Sequence, residues 1–325
     1  MTSDRLKLGI IGLGIMGERL MRAALAHRGT EVVAVWDPSP AAVERLAGIT
    51  GDLTMSGSVE QVIAAADAIY VASPPDSHIA LGKAALAAGK ALFLEKPLAS
   101  DVPAARDFVA GAQGQRTAVN FPMASSPTIA QLRRWRPEIG RIERIEIKAE
   151  FAGWPRGWQK GAASWLSKRA DGGFTREVVS HFLFLAQRWG GPLRLAEASV
   201  TYPQGNDDGS ETAVSARLWA GDVPVTLTGG VGTTTADEHN LTTIFGSKGQ
   251  LRLRDWSYAE KLDADGQWRT APDAMPNAEM RPLTLAGQLD KLAALTRGEE
   301  TELASLAEAL SIMESVEGIL ASDKR

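Results

Sequence analysis

A doubly wound parallel α/β sheet, followed by an α+β domain with a large, mainly antiparallel open sheet, is the fold class the sequence predicts. Three observations predict it. Short apolar runs alternate with helix-period segments through residue 121, the pattern of a parallel sheet covered by helices. After residue 122 a series of period-two segments follows, as half-buried antiparallel strands require. The first apolar run leads into Gly12-x-Gly14-x-x-Gly17 and then directly into a helical pattern, Leu20, Met21, Ala24 and Leu25. Strand, glycine turn and helix in that order open a Rossmann domain.

In the first domain, 1–121, strands are expected at 6–11, 31–36, 68–72, 91–94 and 117–120. Helices should begin near Gly14, Pro40, Ser58, Asp76 and Asp101. Ser58, with Glu60 and Gln61 behind it, and Ser100, with Pro103 in the first turn, are helix-start signals. Asp76 reads as an N-cap. Gly89 closes the fourth helix as a C′ glycine. In the second domain, 122–325, a helix is expected at 128–135, then a long alternating strand at 141–151. A tryptophan-rich loop leads to a helix at 174–189. Strands at 195–202, 212–219, 224–229, 240–245 and 250–253 follow, the last two joined as a hairpin through Gly246-Ser247-Lys248-Gly249. Helices at about 283–296 and 302–320 close the chain.

The 325 residues suit two domains, and 23% charged with 44% hydrophobic residues is ordinary globular composition. A net charge of −4 gives no basic field for nucleic acid. There is no cysteine, so disulfides and thiol catalysis are excluded. No His, Asp and Glu cluster has metal-ligand spacing, and no metal is expected. The N-terminal apolar stretch is too short to span a bilayer and runs into Glu18 and Arg19. No signal-type cleavage site is evident, so no membrane association and a cytoplasmic location are expected.

The chemistry starts at the glycine turn. Gly12 permits the tight turn, Gly14 lets backbone approach a pyrophosphate, and Gly17 lets the helix lie close, with the phosphates at the helix N-terminus beside Ile15 and Met16. Asp37 ends the second strand, 20 residues after Gly17, where an acid binds the adenosine ribose hydroxyls. Pro38, Ser39 and Pro40 offer no cation for a 2′-phosphate, so NAD is expected in preference to NADP. The competing reading makes Asp37 a helix cap or part of an Asp-Pro turn.

The fourth strand runs into Glu95-Lys96-Pro97, placing a lysine at a carboxyl end, the ligand side of such a sheet. At this point the chain resembles the Gfo/Idh/MocA oxidoreductase family, named after glucose–fructose oxidoreductase and inositol dehydrogenase. The matching segments are GLGIMG at 12–17, Asp37, Ser73-Pro74-Pro75-Asp76-Ser77-His78, AGKALFLEKPLA at 88–99, and Gly172-Gly173 with Glu177-x-x-x-His181. The resemblance implies a Rossmann domain and a second domain whose open sheet lines a substrate pocket and builds homodimers or homotetramers. It implies NAD(P)-dependent oxidation or reduction of a sugar, polyol or related small molecule. It places Ser73, Pro74, His78, Glu95, Lys96 and Asn120 along the cofactor, and Lys96 and His181 at the reacting oxygen. The Lys96–Pro97 peptide is cis in relatives.

Hydride transfer at a carbinol carbon needs a proton moved at the oxygen, which a positioned lysine or histidine can do. Lys96 and His181 are the candidates, with Glu177 one turn before His181 and on its helical face. The alternatives are that Lys96 only pairs with Glu95 or a phosphate, and that His181 is a packed helix residue. The family pattern has Asp where Glu177 stands, Asn where Asp76 stands, and arginine with an aromatic after the fifth strand where this chain has Phe121-Pro122-Met123. Two further classes stay open: redox-neutral NAD-dependent elimination or glycoside cleavage, and a non-catalytic dinucleotide-binding regulator.

The loop 151–176 holds Trp154, Trp158 and Trp165, whose flat faces suit a sugar ring. It carries Arg156, Lys160, Lys168, Arg169 and Arg176, and with Asp171 and Glu177 counted its net charge is +3, suiting an anionic group on a sugar-like substrate. Alternatively the tryptophans pack the loop and the charges are solvated.

Overall fold

The computed structural model describes residues 5–322, which form two compact units. The first holds the chain up to Ser125 together with Arg281–Leu310. The second holds Ser126–Met280 together with the chain from Ser311 on.

The first unit alternates β1 (Leu6–Ile11), α1 (Ile15–Ala26), β2 (Thr30–Trp36), α2 (Pro40–Ile49), α3 (Val59–Ala65), β3 (Ala68–Val71), α4 (Pro75–Ala87), β4 (Ala91–Leu94), α5 (Val102–Gly111) and β5 (Thr117–Val119). The strands form one parallel sheet in the order β2-β1-β3-β4-β5. Every residue of β3 and β4 is buried, as strands covered on both faces must be. Strand order reverses between β1 and β3, which opens a crevice at their carboxyl ends. Ser58 caps α3 as expected, accepting from the Gln61 amide. Two caps differ. The N-cap of α4 is Pro74, with Asp76 in the first turn, where a carboxylate suits the helix dipole. The N-cap of α5 is Asp101, which accepts from the Ala104 amide at 2.7 Å. Gly89, at φ 72°, closes α4.

The second unit begins with α6 (Pro127–Trp135), β6 (Ile142–Phe151) and α7 (Ala163–Leu166). A helix α8 (Ser180–Gly190) follows, then β7 (Leu193–Thr201), β8 (Ala213–Ala220), β9 (Val223–Val231), β10 (Glu238–Gly246), β11 (Gly249–Arg254), β12 (Tyr258–Leu262) and β13 (Trp268–Thr270). These strands make one sheet, β13-β12-β11-β10-β6-β9-β8-β7, antiparallel except for β6 beside β9. On β6, Ile145, Ile147, Ala149 and Phe151 are buried while Glu146 and Lys148 are exposed, so one face is core and the other is polar. Strands β12 and β13 were not legible, because they are short and lack clean alternation. The expected helix 174–189 is two pieces: Thr175–Val179 is π-helical and α8 follows. All of Ser180–Ala186 is buried.

The last helices are α9 (Asn277–Thr296) and α10 (Leu306–Leu320). A single division at residue 121 would assign 281–310 to the second domain. In the structure Leu285, Leu289, Leu292 and Leu303 join the core built by Leu8, Ile10 and Phe93. Positions 285, 289 and 292 share a helix face, and burying each leucine is worth about 1.5–3 kcal/mol. The Val119 amide also donates to the Ala304 carbonyl at 2.8 Å. No helix among the described residues is long and apolar enough to cross a membrane.

Candidate active site

The first unit carries a dinucleotide cradle. Gly12 has φ 94° and its amide donates to the Trp36 carbonyl at 2.8 Å, tying the turn to the end of β2. A Cβ at Gly12 would lie 2.6 Å from the Ala72 carbonyl carbon and the Ser73 nitrogen, and one at Gly17 would land on the Gly12 carbonyl oxygen. Nothing lies within 4 Å of a Cβ built on Gly14, so that side of the turn is open. Gly14 is the N-cap of α1 and supplies no side-chain cap, which leaves the helix end at Ile15 and Met16 as an anion seat. Asp37 is held by both oxygens: Oδ2 accepts from the Leu13 amide at 2.7 Å and Oδ1 from the Ser39 amide at 2.8 Å. A carboxylate has about four acceptor sites, so two remain for a vicinal diol. The turn, the uncapped helix end and the fixed acid fit NAD. The sequence reading missed Arg45, which donates to the Leu13 carbonyl at 2.5 Å and braces the same turn.

At the end of β3, Ser73 Oγ lies 2.6 Å from Ser77 Oγ, and Pro74 caps α4. His78 is fully buried, with its ring nitrogens 2.8 Å from the Ser73 carbonyl and 3.0 Å from the Pro97 carbonyl. The expected cofactor contact is corrected here: the ring is fully buried between these two carbonyls, one of which accepts its N–H, so His78 packs between the β3 loop and the residue after Lys96. Burial lowers its pKa, against the raising effect of the Ser73, Pro97 and Leu98 backbone.

Lys96 follows β4 and is half-buried, and the Lys96–Pro97 peptide is cis. Beneath it lies a buried polar chain. Tyr70 and Asn120 both donate to Glu95 Oε1, the latter at 2.5 Å, and Gln288 of α9 donates to Asn120 Oδ1. The Lys96 amide donates to Glu95 Oε2 at 3.3 Å. Glu95 and Asn120 thus turn inward, under the site. Burial pushes the Glu95 carboxyl up, opposed by the Tyr70 hydrogen bond and the Lys96 charge, and burial together with Glu95 pushes the Tyr70 phenol well up. Tyr70 was detectable as the one polar tip in an apolar strand. Gln288 had no sequence signal.

His181, Glu177 and the tryptophan-rich loop belong to the second unit. Glu177 lies in the π-helical turn and His181 in α8, so a continuous α-helix does not set their spacing. Such turns frequently mark functional sites. The turn is built on Glu211, a buried carboxylate whose Oε1 accepts from the Thr175 amide at 2.7 Å; a Cβ on Gly173 would strike this carboxylate. Burial raises the Glu211 pKa, against lowering by Thr175 and Arg176. A carboxyl raised in the folded state adds stability below its unfolded range and loses it as pH rises through its folded range. Relative to Glu211→Gln, the unaltered protein should therefore gain melting temperature as pH falls from neutral into the carboxylate range. Parallel melting curves for the two proteins would refute this.

His181 is 7% exposed and meets the Trp256 indole edge to face, with ring centroids 5.3 Å apart. The tryptophans of the loop divide. Trp154 packs on Phe151 and Phe174 and donates to the Leu166 carbonyl at 2.9 Å, so it holds the loop. Trp158 and Trp165 are 40% and 39% exposed, and the Arg156 guanidinium stacks 4.8 Å from the Trp158 ring centre. The described cations of the loop are each engaged within the second unit. Arg176 clasps Glu317 at 2.7 and 2.8 Å and donates to the Arg169 and Gly172 carbonyls. This corrects its assignment to the substrate. Arg156 pairs with Glu238, Lys168 with Asp208, and Arg169 stacks on Tyr202. The Lys160 side chain lies outside the described residues. Among the described residues no cluster of His, Asp and Glu could hold a metal ion.

Two consecutive residues without glycine's freedom, Asp255 and Trp256, have φ 46° and 71°. Such a conformation costs about 1–3 kcal/mol per residue and persists only where its surroundings enforce it. Asp255 Oδ1 accepts from the Asn240 amide at 3.0 Å and lies 2.9 Å from His239 Nδ1, which supplies that enforcement.

Fold and cradle define the first unit as a dinucleotide-binding domain. Residues 6–121 match the Gfo/Idh/MocA family, described as an oxidoreductase family with an NAD-binding Rossmann fold. An inositol 2-dehydrogenase from Cereibacter sphaeroides is 43% identical over 115 residues, 34% of each chain. One from Pseudomonas syringae is 36% identical over 139 residues, 41% of this chain and 38% of that one. These matches span about a third of the relatives' length. Levoglucosan dehydrogenase in complex with NADH superposes with a TM-score of 0.84 at 17% identity, covering 98% of this chain and 96% of that one. UDP-N-acetylglucosamine 3-dehydrogenase from Acidithiobacillus ferrooxidans gives 0.76 at 16%, covering 98% of both. At such identity the superpositions show a shared fold, including the second unit.

Proposed function

We propose that this protein is an NAD-dependent oxidoreductase acting at a hydroxyl or carbonyl carbon of a sugar, polyol or related small molecule. The observation that carries it is the dinucleotide cradle with Lys96 on the same sheet, at a carboxyl end one strand removed from β1 by β3. The Gly12–Gly17 turn and the start of α1 hold the pyrophosphate, and Asp37 holds the adenosine ribose. The nicotinamide, when bound, supplies the hydride acceptor or donor. Lys96 moves the proton at the reacting oxygen. In the second unit His181, with Glu177 before it in the chain, is the candidate for handling a substrate oxygen. Trp165, 39% exposed, is the loop tryptophan best suited to meet a ring-shaped substrate. The name of the matched relatives, inositol 2-dehydrogenase, supports a polyol, and the engagement of the described loop cations supports a neutral one. The same reading includes a cytoplasmic location and a homodimer or homotetramer formed through the polar face of the second sheet.

The test is a fluorescence titration with NADH and NADPH, followed by pools of polyols, sugars and sugar acids with the oxidised cofactors. Tight NADH binding and reduced-nicotinamide absorbance rising in one pool is expected. Tight binding with silence in every pool would favour the redox-neutral or regulatory classes.

A further inference from the structure

Glu238, on β10, gathers three donors on one oxygen. Its Oε2 accepts from Arg156 Nη1 at 2.9 Å, Asn240 Nδ2 at 3.0 Å and Trp256 Nε1 at 3.0 Å. The donors come from separate places: the tryptophan-rich loop, the same strand, and the turn after β11. Arg156 is buried, is held by Gln159 at 2.9 Å, and stacks its guanidinium 4.8 Å from the Trp158 ring centre. Trp256 reaches the other way: its ring lies 5.3 Å from the His181 ring and 4.9 Å from the Phe182 ring. Removing the carboxylate would leave a buried guanidinium unpaired and free the indole N–H that fixes the ring.

We propose that Glu238 and Trp256 are positioning residues for His181, with Glu238 linking the tryptophan-rich loop to the orientation of the imidazole. The inference rests on the reading that His181 belongs to the reacting centre. Trp256 limits the His181 ring to the orientations its edge-to-face contact allows. Glu238 sets Trp256, and Arg156 makes the position of Glu238 depend on the loop that carries Trp158. The two left-handed residues, Asp255 and Trp256, are the backbone conformation that delivers the indole to this place.

Full-length protein labelled with 13C at histidine Cε1 tests this without substrate. The chain has four histidines, and His181→Asn assigns the relevant signal. Trp256→Phe should move the His181 signal, because the indole ring current is lost. Glu238→Gln should move it too, and the double variant should coincide with Trp256→Phe alone, since Glu238 acts through Trp256. The His27 signal, from the first unit, should stay in place throughout. Arg156→Lys keeps the charge but not the guanidinium fork, and should shift the His181 signal in the same direction as Glu238→Gln. It also carries the test if Glu238→Gln fails to fold. An unmoved His181 signal in the folded Glu238→Gln or Arg156→Lys protein, or additive shifts in the double variant, overturns the proposal. The contact is read directly, so a protein that shows this coupling yet turns over nothing contradicts the oxidoreductase reading alone.

Discussion

Lys96→Met is expected to slow turnover by about 10²- to 10⁴-fold, the usual contribution of a positioned proton-transfer group, with NADH affinity close to that of the unaltered protein. Methionine is one atom shorter but keeps much of the volume of the side chain, so the buried chain below should survive: Glu95 would still receive Tyr70 and Asn120. The measurement is steady-state turnover on whichever pool responds, with the NADH dissociation constant determined by fluorescence on the same preparations. Equal loss in affinity and turnover would assign Lys96 to cofactor binding. Full turnover would remove it from the chemistry.

Gly17→Ala should weaken NADH binding by about two orders of magnitude, equivalent to about 2.8 kcal/mol. The added Cβ falls on the Gly12 carbonyl oxygen, and α1 can only relieve the overlap by moving away from the turn. That movement withdraws the Ile15 and Met16 amides from where a pyrophosphate would rest. Gly14→Ala separates fold from binding: nothing lies within 4 Å of its added Cβ, so the fold should be undisturbed, and any loss of NADH affinity there comes from the methyl group meeting the pyrophosphate. If Gly17→Ala binds NADH as the unaltered protein does, this turn is not the phosphate seat.

The first sheet was legible because each part of it carries a local signal. The glycine turn, Asp37 and the lysine after β4 are short-range patterns, and strand–helix alternation fixes the topology in which they meet. The same locality explains what was missed. Gln288 reaches Asn120 across 168 positions of chain, and Glu238 reaches Arg156 across 82; neither side chain looks special where it stands. Arg176 and Trp154 were read from composition as candidate ligands, but Glu317 and the Leu166 carbonyl claim them. Composition counts charges and rings without saying which are already engaged. The π-helical turn at Thr175–Val179 was invisible for a related reason. It depends on Glu211, which lies 36 positions from Thr175.

The return of Arg281–Leu310 to the first unit bears on how this chain can be cut and engineered. A fragment ending near residue 121 looks like a portable nucleotide-binding module when read along the sequence. It would be born with a greasy gap where Leu285, Leu289, Leu292 and Leu303 belong, and Asn120 would lack its Gln288 partner. Such a fragment should aggregate on expression. A chimaera that grafts 281–310 onto it through a flexible tether should stay in solution and melt cooperatively. Domain shuffling within this architecture therefore has to carry two separated stretches of chain together, so the second unit behaves as an insert in the first as much as an appendage to it.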